Sequence, residues 1–230
     1  MKLLLTSNGL SNDSIAAAFE DLIGKAPSEA KIAFIPTAGF IDRDNKEWLI
    51  QDMYRIFDRG YQVDIIDLTA LTSEQIKDAL TNSDAIFVGG GNTFYLSYWM
   101  EKMGLFELLP KLLETKVYAG ISAGSMVAGQ SLALSSPALN NPQAFIDEHY
   151  DEVGPSGQSL NKTLNLVDFI FRPHLNSRHF YLVKIDELKE KAKGLNKAVY
   201  AIDDNSALKI IDGNVEVISE GEWTLLDPIA

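Results

Sequence analysis

Short runs that are apolar at every position, such as "KIAFI", "AIFV" and "VYAGI", constrain this chain more than any other feature it carries. A strand with one wet face alternates apolar and polar residues. A strand apolar throughout is buried on both faces, the condition of a parallel sheet covered by helices. Strands are expected over 2–9, 31–39, 61–70, 84–92 and 116–122. Segments of helical period separate them, at 13–24, 45–60, 72–83 and, as one or two helices around Gly104, 93–115. Thr72-x-x-Gln75 is a capping box that opens the third of these.

A further helix is expected to begin at "AGSMVAG" (123–129), followed by a loop-rich stretch over 131–164. Regular structure resumes at 165–174, with a helix near 177–194 that includes His179 and an apolar run at 197–205. Residues 207–219 form a hairpin, with Asp212-Gly213 at its turn. The expected fold is α/β: a mostly parallel sheet with helices on both faces and an antiparallel hairpin near the C-terminus. No repeat, linker or low-complexity tract divides residues 1–230, which read as one domain.

Composition removes several function classes. A net charge of −12 opposes nucleic-acid binding, which needs a basic surface. With no cysteine there is no disulfide, zinc–thiolate site or thiol nucleophile. The three histidines are scattered and show no metal-ligand spacing, so neither metal nor organic cofactor is expected. The leucines of "MKLLLTSNG" are too few for a signal-peptide core, and no later run approaches a membrane span. The expectation is a cytoplasmic protein with no membrane or nucleic-acid partner, as a monomer or homodimer.

Ligands of open parallel sheets bind beyond the carboxyl ends of the strands. The residues at the end of each apolar run are therefore informative. "AIFV" runs into Gly89-Gly90-Gly91-Asn92, "VYAGI" into Ser122, "FIFRP" into His174 and "VYAI" into Asp203-Asp204. Gly120-x-Ser122-x-Gly124 has the spacing of a nucleophile elbow, a sharp turn that lifts a hydroxyl off the sheet edge. The same string also fits a small-residue helix start needed only for packing. The Ala123 amide, at a helix N-terminus, is placed to donate to an oxyanion.

His174 is a base for that serine, or a strand-end histidine satisfied by backbone. One of Asp203 and Asp204 would orient the imidazole, while either also fits a turn cap. The order Ser, His, acid differs from that of α/β-hydrolases, and no acid lies between Ser122 and Asp147. The triple glycine lacks the P-loop lysine, and Phe94 stands where a dinucleotide fingerprint wants its third glycine. Backbone amides offered to a substrate carbonyl suit it better.

With "FVGGGNTFYL", "GISAGSM", "RPH" and "AIDDNSAL" in hand, the sequence resembles the peptidase E family of serine peptidases, aspartyl dipeptidases related to cyanophycinases. The resemblance runs in motif order from about residue 2 to the end. It implies a fold like that of class I glutamine amidotransferases and a short peptide substrate, a dipeptide with N-terminal aspartate. It places the nucleophile on Ser122, its base on His174, and oxyanion amides on Ala123 and Gly90, with Gly89 and Gly91 as neighbours in the same turn. Asn92 and Arg178 fall among substrate-binding positions, Arg178 as the partner of an acidic side chain. The third member, usually Glu in the family, falls on Asp204, one methylene shorter, with Asp203 as its rival. Two alternatives stay open on the same residues. One is a cyanophycinase-like or other amide or ester hydrolase; the other is a small-molecule-binding homologue whose triad has lapsed.

Overall fold

A computed structural model describes residues 1–41, 45–135, 161–180 and 182–227. The first half of the chain alternates strand and helix as its apolar runs dictate. Five strands, β1 (Lys2–Thr6), β2 (Lys31–Ile35), β3 (Gln62–Ile65), β4 (Ala85–Val88) and β5 (Val117–Ile121), lie parallel in the order β3-β2-β4-β5-β1. The hairpin of β8 (Ser206–Ile211) and β9 (Asn214–Ser219) extends this sheet antiparallel beyond β1, making seven strands.

Side chains of the parallel strands alternate between two cores. Leu3, Leu5, Ala33, Ile35, Ile86 and Val88 join α3 (Ser73–Thr81), α4 (Thr93–Lys102) and α5 (Leu105–Leu112) on one face. Leu4, Ile32, Phe34, Ala85 and Phe87 join α1 (Asp13–Ile23) and α2 (Glu47–Asp58) on the other. The inner strands β2, β4, β5 and β1 are therefore dry on both faces, while β3, at the sheet edge, is largely exposed. Each buried Leu, Ile or Phe contributes about 1.5–3 kcal/mol, which is why these runs carry no polar position.

Local signals set the boundaries. Asn12 caps α1, its side chain accepting from Ile15 N at 2.9 Å. The Thr72–Gln75 capping box is formed. Gly104, at φ 75°, separates α4 from α5 as two helices. Asp212 and Gly213 both take positive φ, the requirement of a tight hairpin turn.

The later part of the chain departs from the expected pattern. Of 165–174 only β6 (Ile170–Arg172) is strand, and of 177–194 only α7 (Ile185–Ala192) is helix. His179 lies ahead of that helix, in an irregular stretch where Ser177 Oγ accepts from its backbone N–H. β6 and β7 (Val199–Ile202) do not enter the large sheet. They pair in parallel, and β10 (Trp223–Leu226), absent from the expected elements, adds antiparallel to β7, giving a separate sheet ordered β10-β7-β6. Apolar periodicity marks burial but does not say which sheet a strand joins. The loop-rich expectation for 131–164 lies mostly outside the described residues, together with His149; 131–135 and 161–164 carry no helix or strand. Among the described residues no helix is long and apolar enough to cross a membrane.

The short helix α6 (Ala123–Met126) is pressed against the large sheet. Tyr118, fully buried, donates its hydroxyl to Gly124 O at 2.6 Å. Ser125 Oγ donates to Thr6 O at 2.8 Å and accepts from Thr6 N at 2.9 Å, fastening the helix to β1. At this distance neither flanking glycine has room for a side chain. A Cβ on Gly124 would stand 2.1 Å from Val88 O, and one on Gly120 would stand 2.6 Å from Ser125 N. Gly124→Ala is expected to cost about 2–3 kcal/mol by overpacking against backbone. The exposed Gly194, which has nothing within 4 Å of its added Cβ, should accept alanine within about 0.5 kcal/mol. Urea unfolding of the two variants against wild type measures both.

Candidate active site

Ser122 occupies the turn between β5 and α6 with φ 48° and ψ −106°, a conformation that costs an L-residue about 1–3 kcal/mol. The turn persists because its surroundings over-determine it. Ser122 N donates to Thr6 O at 3.0 Å, while Ser122 O accepts from Ser125 N and Met126 N. The strain aims the side chain away from the sheet, and Ser122 Oγ lies 2.9 Å from His174 Nε2.

His174 lies just past the end of β6, also at positive φ (64°). The next amide, Leu175 N, is tied to Ile202 O at the end of β7. Phe180 stacks on the imidazole with centroids 4.0 Å apart and planes 10° off parallel. His174 Nδ1 lies 2.7 Å from Asp204 Oδ1. Two sheets thus contribute: the large one brings Ser122, and the small one brings His174 and the acid.

The adjacent aspartates divide their tasks. Asp203 faces away, its carboxylate accepting from Asn205 N, Ser206 Oγ and Glu222 N at 3.0, 2.6 and 2.8 Å. It ties the β7–β8 turn to the start of β10. Asp204 alone of the pair meets the imidazole, so the shorter acid reaches.

Ser7, absent from the expected site residues, also enters the site. Its fully buried hydroxyl lies 2.6 Å from Asp204 Oδ1 and 3.1 Å from His174 Nδ1, and accepts from His174 N at 2.9 Å. The sequence does carry a signal for it, since Ser7 directly succeeds the run "LLLT" at the carboxyl end of β1.

The glycine turn after β4 sits beside the serine. A Cβ on Gly90 would lie 3.3 Å from Ser122 Cβ, so this backbone borders the serine. Gly89 N is committed to Ile35 O at 2.9 Å, which removes it from the oxyanion candidates. Gly91, at φ 130°, packs on Ala38, where a Cβ would stand 2.2 Å from Ala38 O. Ala123 is the first residue of α6. Asn92 does not present its side chain as a substrate-binding position requires. It is buried, and its carboxamide oxygen caps α4 by accepting from Tyr95 N at 2.8 Å. Arg178 is exposed, four residues past His174, with no ion-pair partner among the described residues.

Electrostatics favour a neutral imidazole beside an ionised carboxylate. Burial pushes His174 below its ordinary 6.5; Asp204 pulls the other way, and the charges of Arg172 and His179 add to the depression. Burial also pushes the Asp204 carboxyl up. The hydrogen bond and charge of His174, with the hydroxyls of Ser7 and Ser177, more than offset this and hold it at about 2. Arg172 is wholly buried, with Nη1 donating to Leu134 O at 2.6 Å, and burial lowers its guanidinium to about 9.

A hydroxyl, an imidazole and a carboxylate in series, beside backbone at a helix start, form the arrangement by which serine hydrolases cleave acyl bonds. The model of peptidase family S51 matches residues 3–218. The chain belongs to peptidase family S51. The chain is similar to an uncharacterized peptidase of Pasteurella multocida, 28% identical over 165 residues that cover 70% of this chain and 72% of that protein. Peptidase E of a Nostoc species is 29% identical over 200 residues, 83% of this chain and 73% of the relative. In fold, the S51 chain is similar to a Listeria monocytogenes EGD-e protein provisionally named a peptidase E. The TM-score is 0.74 at 22% identity, with 96% of this chain and 98% of that one covered.

The depressed Asp204 carboxyl makes stability depend on pH with a definite sign. Its folded value of about 2 lies below the ordinary 3.8, so the stabilisation is present above about pH 4 and lost as pH falls through 2. With the side chain a third exposed, screening reduces this contribution to about 1 kcal/mol. Asp204→Asn is therefore expected to lose about that much at pH 7, with the gap to wild type closing by about pH 2 in urea titrations at both pH values.

Proposed function

We propose that residues 1–230 form one serine-peptidase domain acting on short peptides, in which Ser122, His174 and Asp204 are the nucleophile, base and orienting acid. The observation carrying this reading is the series Ser122 Oγ–His174 Nε2 at 2.9 Å and His174 Nδ1–Asp204 Oδ1 at 2.7 Å. That spacing also favours an intact relay over a lapsed, binding-only one. In the proposed mechanism Ser122 donates its proton to Nε2 as Oγ attacks the scissile carbonyl. Amides of Ala123 and Gly90 stabilise the oxyanion. The imidazolium then protonates the leaving amine, and water, activated by the same imidazole, hydrolyses the acyl-enzyme. Arg178, exposed and four residues after His174 in the chain, is proposed to bind an acidic side chain at the substrate's N-terminal residue, which makes Asp-Xaa dipeptides the favoured class.

A fluorophosphonate reagent should modify wild type at Ser122, as read by peptide mass spectrometry. Ser122→Ala should be unlabelled and lose about 10⁴-fold or more in dipeptide hydrolysis. Because burial depresses His174, the acid limb of kcat/KM should lie below pH 6.5. A wild type that is neither labelled nor active on a dipeptide panel ends this reading. Within the panel, Arg178→Ala should raise KM for Asp-Xaa about tenfold or more while leaving Ala-Xaa near its wild-type value. A uniform loss across both would remove Arg178 from specificity.

A further inference from the structure

Resting on that reading of the relay, we propose that Ser7 is a positioning residue that spans the two sheets, gripping Asp204 and holding His174 in the tautomer that leaves Nε2 free for Ser122. Proton counting assigns each bond. His174 N–H is a donor only, so Ser7 Oγ accepts it at 2.9 Å. With Nε2 bare, Nδ1 carries the ring hydrogen and is likewise a donor. The Ser7 hydroxyl proton therefore goes to Asp204 Oδ1, at 2.6 Å, and two donors converge on that one oxygen. The opposite tautomer is penalised twice. A bare Nδ1 would face a carboxylate oxygen at 2.7 Å with no hydrogen between them, and Ser7 would have to leave Asp204 to serve the ring at 3.1 Å.

Ser7 is itself held fast. Thr6, before it, is bound at N and O by Ser125 Oγ, and Thr6 Oγ1 donates to Gly120 O and accepts from Gly9 N. Arg55 Nη1 donates to Asn8 O at 2.8 Å on the other side. The rigid end of β1, which also supplies the carbonyl that binds Ser122 N, thereby reaches across to the small sheet. Serine and base are both referenced to this one short stretch of backbone. For an acid one methylene shorter than glutamate, the Ser7 bond on Oδ1, together with the Ser177 hydroxyl, limits rotation of the carboxylate away from the ring.

The test uses Ser7→Ala, Ser7→Thr and Asp204→Asn, with long-range ¹⁵N NMR of the three histidines, His174 being assigned by His174→Gln. In resting wild type the His174 shifts should report a proton on Nδ1. In Ser7→Ala they should move toward the average of the two tautomers, while Ser7→Thr keeps the wild-type pattern. For peptide hydrolysis, Ser7→Ala should lower kcat about tenfold with KM within about twofold, and should change kcat less than about twofold once Asp204 is Asn. Unmoved His174 shifts in a folded Ser7→Ala overturn the proposal, as does an equal kcat loss in both Asp204 backgrounds. The NMR reads the resting protein without substrate. An inactive wild type thus counts against the peptidase reading, and an unmoved tautomer against the role of Ser7.

Discussion

The approach of α6 to the large sheet is the contact on which the rest of the site depends. Gly124 touches the Val88 carbonyl and Gly120 touches the backbone of Ser125, at distances no side chain could share. Only because the helix sits this low does β5 end in a turn sharp enough to hold Ser122 at φ 48°. The same closeness brings the end of β4 beside the serine, so that one packing event sets the hydroxyl and its neighbouring amides together. A preorganised site of this kind spends folding energy before any substrate arrives.

The second sheet gives the site its electrostatic character. It carries His174 and Asp204 on adjoining strand ends, with Phe180 laid over the ring. Burial alone would neutralise both groups; the imidazole stays neutral, while hydrogen bonds and the nearby histidine keep the acid charged. That division holds in a chain whose net charge of −12 would by itself favour protonation of every group.

The parallel sheet and the Ser122 and His174 positions were legible because burial and strand ends leave a local imprint: an apolar run, then one polar residue. Choosing between Asp203 and Asp204 was not possible in this way. Their difference is made by Asn205 and Ser206 together with Glu222, 19 residues along, all of which donate to Asp203. Ser7 carried the same imprint as Ser122 but fell inside the strand expected over 2–9, between the polar Thr6 and Asn8, so it did not stand out as a strand end. Asn92 shows the reverse error. A polar residue after three glycines suggests binding, yet an asparagine ahead of a helix is also its ordinary cap, and here it is that. The runs that became β6 and β7 were visible, but their membership of a separate sheet was not, since buried strands look alike whichever sheet receives them.

The order of the parts along the chain has its own consequence. Ser122 and everything that shapes its turn, namely β1, β4, β5 and α6, precede His174, which comes 52 residues later. Asp204 comes later still, in a turn closed by backbone from the start of β10. A ribosome therefore delivers the serine well ahead of the groups proposed to activate it. The growing polypeptide passes through synthesis with a hydroxyl that has no base, so chemistry waits on the last strands to dock, a timing written into sequence order alone.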